Sequence, residues 1–202
     1  MIRRDAADGI VTLTLDRPDK ANSLTPEMLE ALIDGVAGAA EARLLVVTGA
    51  GDRAFSAGAD LEAAKAGLAT SPLWERLSGA LAAHPGLSVA ALNGTLAGGA
   101  FGMALACDIR VAVPHAAFFY PVAKLGFLPQ PSDPARLAAL IGPARAKLLL
   151  AAGARLDASE ALSFGLIDRI VPDPVRAARD MAVGEPGHVA AIKAMIPGGV
   201  TR

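Results

Sequence analysis

The chain carries one cysteine, one tryptophan and one tyrosine in 202 residues. A lone Cys107 excludes an internal disulfide and fits a reducing compartment, which makes the cytoplasm the default location. Basic surplus is also missing. With 19 Lys and Arg against 20 Asp and Glu, the net charge is −1, which argues against a dedicated nucleic-acid binder. Apolar residues make up 53% of the chain, but much of that is alanine. No uninterrupted apolar run approaches the roughly 20 residues a spanning helix needs, so no membrane partner is expected. Met1 to Asp5 turns acidic without a signal-peptide apolar region. Metal-site spacing is absent too: His84 ends a helical pattern, while His115 and His188 fall in turn-like contexts. No linker, low-complexity tract or repeat interrupts residues 1–202, so they read as one domain with room for a substantial core.

What is present is an alternation of strands and helices. Ile10 to Leu15 sets Val11, Leu13 and Leu15 against Thr12 and Thr14, the pattern of a half-buried strand. Thr25 caps a helix that starts with Pro26 and lines Met28, Leu29, Leu32, Ile33 and Val36 on one face. Leu44 to Val47, Val89 to Leu92 and Ile109 to Val113 are buried-type strands. Helical patterns fall between them at about 60–67, 73–83 and 99–106. This is an α/β arrangement. After residue 133 the character is helical. Gly142-Pro143 separates two helices, Asp157 and Glu160 have capping-box spacing, and Asp173-Pro174 opens a last helix.

Two glycine-bearing segments stand out, Ala54 to Leu61 and Asn93 to Ala100. Each follows a strand-like run and leads into a helix-like one. Small residues at such junctions let a ligand approach the backbone, and a helix start leaves amides without acceptors. Two such amides converging on one carbonyl make an oxyanion hole, which stabilises an enolate or tetrahedral anion.

These segments, with Leu15 to Leu24, Val47 to Gly51, Cys107-Asp108, Ala158 to Leu162 and Gly165 to Asp168, make the chain resemble the crotonase superfamily, the enoyl-CoA hydratase/isomerase family. The blocks run in the family's order from near residue 10 to about residue 172. The resemblance implies a crotonase-like spiral of β-β-α repeats with C-terminal helices, the core spanning about 1–172 and a short helical C-terminus 173–202. It implies an acyl-CoA thioester as substrate and partner, with coenzyme A entering as part of that thioester and no separate cofactor. The oxyanion donors would be the amides of Ala59 and Gly99. Lys20, Ala21, Asn22 and Ala57, with Ala59 and Gly99, would contact CoA, and Asp60 would cap the helix that begins beside it. The family likeness also implies a homo-oligomer, a trimer or hexamer, although relatives usually continue past the equivalent of Lys193 into helices that help form the trimer contact.

Hydratases of this family use two glutamates. The first falls at Gly102 and the second at Val122, in Phe118-Phe119-Tyr120-Pro121-Val122. Neither residue moves a proton, and such help is typically worth about 10²–10⁴-fold per group. Asp133 is the candidate substitute, set against a simple role as N-cap (with Ser132) ahead of Pro134. Tyr120 can donate a proton or hydrogen bond, and Gln130 can orient water. Leu68, Trp74, Leu77 and Phe127 are candidates for an apolar acyl wall. Two functions stay open: a lyase or isomerase stabilising an acyl-CoA enolate without the two-glutamate hydration machinery, and a non-catalytic acyl-CoA-binding or assembly protein. The enzyme is the expectation.

Overall fold

The structure is a computed structural model and describes residues 1–196. β1 (Ile2–Ala7) and β2 (Ile10–Leu15) pair antiparallel through a turn at Asp8 and Gly9, both at positive φ. α1 (Pro26–Ala37) follows, with the Thr25 side chain accepting from the Met28 amide. A recurring pattern then begins. The long strand β3 (Leu44–Gly49) and the short strand β4 (Ala54–Ser56) lead to α2 (Leu61–Lys65) and α3 (Leu73–Ala82). β5 (Leu87–Leu92) and β6 (Thr95–Ala97) lead to α4 (Phe101–Ala106). β7 (Ile109–Ala112) and β8 (Ala117–Phe119) lead to α5 (Val122–Leu125) and α6 (Asp133–Ile141). This is the β-β-α spiral implied by the resemblance.

The long strands gather in one sheet, with one two-residue strand at its edge, and the three-residue strands gather in another. With α7 (Pro143–Leu150), β9 (Arg155–Asp157), α8 (Ala158–Phe164) and β10 (Arg169–Ile170) in place, the sheet orders are β1-β2-β3-β5-β7-β10 and β4-β6-β8-β9. Beyond the first hairpin, the large sheet is parallel throughout. Parallel neighbours need crossovers, and the intervening helices supply them. Both faces of such a sheet are covered, which explains the continuous apolar runs of β3 and β5. Leu45, Val47, Ala90 and Leu92 pack into the main core, whereas Leu44, Val46, Val89, Ala91 and Val111 pack against Ala178 on the other face.

That second cluster corrects one expectation. β2 is buried from Val11 to Leu15, not on one face only, because it lies inside the sheet between β1 and β3. The helix at Asp173-Pro174 is also not the last. It is the six-residue α9 (Pro174–Arg179), capped by Asp173, and α10 (Pro186–Met195) follows separately. Asp157 and Glu160 form both bonds of the expected capping box. Cys107, just past α4, is buried, and burial pushes its thiol up to about 12. No helix among the described residues is long and apolar enough to cross a membrane.

Candidate functional site

Two asparagines lock the loops that carry the site. The Asn22 side chain accepts from the Arg17 amide and donates to the carbonyls of Ala50 and Ala54. Asn93 accepts from the Gly49 amide and donates to Gly51 and again to Ala54. Gly49 lies between them: a Cβ there would sit 2.7 Å from both side chains. Asn22→Ala would leave the Ala50 carbonyl and the Arg17 amide without their partner, while the Ala54 carbonyl keeps Asn93, and a loss of about 1–3 kcal/mol in urea unfolding is expected.

The first glycine segment runs beside Leu24. The Leu24 amide donates to the Gly58 carbonyl and the Asp60 amide donates to the Leu24 carbonyl, both at 2.8 Å. The Ala59 N–H lies between these bonds and takes no part in them. Asp60 accepts from the amides of Glu62 and Ala63, capping α2, and pairs with Arg17 at 2.8 Å. The Arg17 hydrogen bond, aided by the Ala63 amide, holds its carboxyl below the usual carboxylate range.

The second segment enters a 3₁₀ turn at Gly98–Ala100 that continues into α4. Gly99 occupies its first turn, where amides have no intrahelical acceptor. Gly58, at φ +90°, lets the two loops touch: a Cβ on it would meet the Ala97 carbonyl at 3.0 Å and the Gly99 nitrogen at 3.3 Å. Ala59 and Gly99 are half-buried, so both remain reachable. Trp74 backs Gly99, its ring 3.3 Å from where a Cβ would stand, and its indole N–H donates to the Leu68 carbonyl. Leu68, Trp74 and Leu77 are buried, while Phe127 is 44% exposed.

The expected CoA contacts also come together. The Ala57 amide donates to the Ala21 carbonyl, and Lys20 is exposed at the end of the adjoining turn. Asn22 is buried and fully engaged: its side chain makes the loop bonds above, its amide donates to the Arg17 carbonyl and its carbonyl accepts from the Ser56 hydroxyl.

Asp133 places a carboxyl beside Gly102. A Cβ on Gly102 would sit 3.0 Å from Asp133 Oδ1, so the carboxyl occupies the space beside that bare helical position. The carboxyl is fully buried. Neither Asp133 nor Ser132 caps α6 with its side chain, which overturns the capping reading. Tyr120 stacks on Phe101 and donates its hydroxyl to Asp133 Oδ2 at 2.9 Å, while Oδ1 has no partner among the described residues. Burial raises the Asp133 pKa to about 7, against the lowering effects of the Tyr120 bond and the Arg136 charge. Burial and the Asp133 charge push the Tyr120 hydroxyl well above its ordinary value.

Sequence reasoning missed the residues that hold Asp133. The Glu75 carboxylate accepts from both the amide and the hydroxyl of Ser132, tying α3 to the start of α6. Gln130 donates its side-chain N–H to the Ala69 carbonyl at 3.1 Å rather than facing open solvent. Nothing in local spacing signals these contacts, since Glu75 and Ser132 lie 57 residues apart.

Comparison with known proteins agrees with this fold. The model of a family described as enoyl-CoA hydratase/isomerase matches residues 5–196. YngF of Bacillus subtilis is 37% identical over 166 residues, covering 78% of this chain and 64% of its own length. Carnitinyl-CoA dehydratase of Citrobacter koseri is 38% identical over 172 residues, covering 80% of this chain and 64% of its own. The chain thus spans just under two thirds of these two relatives. Among solved structures, an enoyl-CoA hydratase from Bacillus anthracis has a TM-score of 0.88 at 32% identity, over 96% of this chain and 81% of that one. Pseudomonas aeruginosa DspI has a TM-score of 0.90 at 31% identity, over 100% and 88% respectively. A matching family model along nearly the whole described chain, on a crotonase fold, places this protein in the enoyl-CoA hydratase/isomerase family.

Proposed function

We propose that the chain binds an acyl-CoA thioester and transfers a proton at the carbon next to its carbonyl, with Asp133 as the acid–base group. The amides of Ala59 and Gly99 act on the thioester oxygen. As the α-proton leaves, charge moves onto that oxygen, so donors fixed there favour the enolate over the ground state. They cost no reorganisation at the moment of reaction, because the loops are already clamped by Asn22 and Asn93.

The observation that carries the proposal is the carboxyl of Asp133 lying against Gly102 with one oxygen unpartnered. Oδ2 is occupied by the Tyr120 hydroxyl, so Oδ1 is the oxygen that exchanges the proton. A pKa near 7 suits a group that must both take and return a proton at neutral pH. Two-glutamate hydration has no residues here to perform it, since Gly102 and Val122 hold no acid.

Exchange of the α-hydrogens of butyryl-CoA in D₂O, followed by mass spectrometry, tests this. Uptake of deuterium by wild type, slowed about 10²–10⁴-fold in Asp133→Asn, is the expected result. Binding of the ester without exchange in wild type would favour the non-catalytic acyl-CoA binder instead. If Asp133 is the base in the rate-limiting step, exchange should rise with pH through about 7 and level off above it.

A further inference from the structure

Asp133 is the first residue of α6, where an acid ordinarily stays beside the free amides of the helix start. Its carboxyl turns inward instead, and another helix does the capping work. In a capping box the third helical residue accepts from the amide of the N-cap. The N-cap of α6 is Ser132 and its third residue is Ala135, which has no side-chain acceptor. Glu75 of α3 fills that role from outside. One of its carboxylate oxygens accepts from the Ser132 amide at 3.1 Å and the other from the Ser132 hydroxyl. Bonds to an ionised acceptor are the stronger kind, and negative charge is favoured at a helix N-terminus.

The same stretch of chain supports the oxyanion side. Trp74, next to Glu75 on α3, backs Gly99 with its ring. Leu68 and Ala69 repeat the division: the Leu68 carbonyl accepts from the Trp74 indole and the Ala69 carbonyl from the Gln130 side chain. The Gln130 amide donates in turn to the Tyr120 hydroxyl, which bonds Asp133. Residues 68–75 thus reach Gly99 through Trp74 and Asp133 through Gln130 and Glu75.

We propose that Glu75 is a positioning residue that, through its hold on Ser132, sets the Asp133 carboxyl in register with a thioester bound at Gly99. This role rests on Asp133 acting as the acid–base group. The Glu75 charge has a second effect. Asp133 is faced by Tyr120, by Arg136 of its own helix and by Glu75; α4 brings no ionisable group, and Arg145 and Lys147 of α7 are exposed. Burial raises the Asp133 pKa most and Glu75 adds to it, while Tyr120 and Arg136 oppose it. Removing the Glu75 charge alone should move the Asp133 titration to lower pH.

Two measurements on the full chain test this. The first needs no turnover: carbon-13 NMR follows the Asp133 carboxyl against pH, assigned by its absence in Asp133→Asn. It should titrate near pH 7 in wild type and at lower pH in Glu75→Gln, whose side chain keeps both bonds to Ser132 without the charge. The second is α-hydrogen exchange on butyryl-CoA at saturating ester. Glu75→Ala should slow exchange about 10²-fold with ester affinity unchanged, because a misplaced group costs rate rather than binding. Glu75→Gln should restore most of that rate, and adding Ser132→Ala to Glu75→Ala should cost nothing more. An Asp133 titration unmoved in Glu75→Gln, wild-type exchange in folded Glu75→Ala, or a further loss in the double variant would each overturn the role of Glu75. Absence of exchange in wild type would overturn the acid–base reading itself, a failure that the NMR titration tells apart from the others.

Discussion

Asp133→Asn should lower α-proton exchange on an acyl-CoA by about 10²–10⁴-fold, the usual contribution of a positioned acid–base group. Ester affinity should change little, because the oxyanion amides and the Lys20 turn are untouched. The amide nearly matches the carboxyl in shape and can still accept from Tyr120, so the fold survives. The same variant carries a stability signature of opposite sign. Asp133 has a folded pKa raised to about 7 from an ordinary value of 3.8, so the folded state holds a proton that the unfolded chain has lost. Stability therefore falls as pH rises through that interval, and the full penalty is present above pH 7. Asparagine has no proton to lose. The variant should gain on wild type between pH 4 and pH 7, by a few kcal/mol at most, and keep that gain at pH 8. Urea unfolding at pH 4, 6 and 8 measures it, and a difference that does not change with pH would remove Asp133 from the argument.

The second large effect concerns the backbone. Ala59→Pro deletes one of the two proposed oxyanion donors, and a loss of about 10²–10³-fold in turnover is expected. The replaced N–H makes neither of the bonds to Leu24, so the bridge that holds the loop remains. Gly99 is a poorer place for this test, since any side chain there presses on Trp74. Activity and circular dichroism of Ala59→Pro should therefore part company: the first lost, the second kept. Turnover unchanged in the folded variant would show that this amide does not touch the reacting carbonyl.

The parts of the fold legible in sequence were those with enough length to show a period. β3 and β5 announce themselves as apolar runs, and α1 by its Thr25-Pro26 start. β4, β6 and β8, at three residues each, are too short to alternate measurably. The small sheet they build is visible only once the spiral stacks them. For the site, the glycine segments were readable because Gly58 and Gly99 mark places where backbone must come close. Asp133 was ambiguous for a definite reason. An acidic residue before proline at a helix start is the ordinary cap, and only the empty space at Gly102, distant in sequence, reveals that the carboxyl turns inward. Glu75 and Arg136 gave no local signal, because their roles depend on which helices meet.

Burial of Cys107 gives experimenters a built-in clock. The sulfhydryl stands at the foot of the helix whose other end bears Gly99, and its suppressed ionisation makes it unreactive while the helix stays seated. Alkylation by a maleimide would then proceed only through openings of that region. Its rate, followed with and without a CoA ester, reports how firmly ligand clamps the helix, without any engineered label.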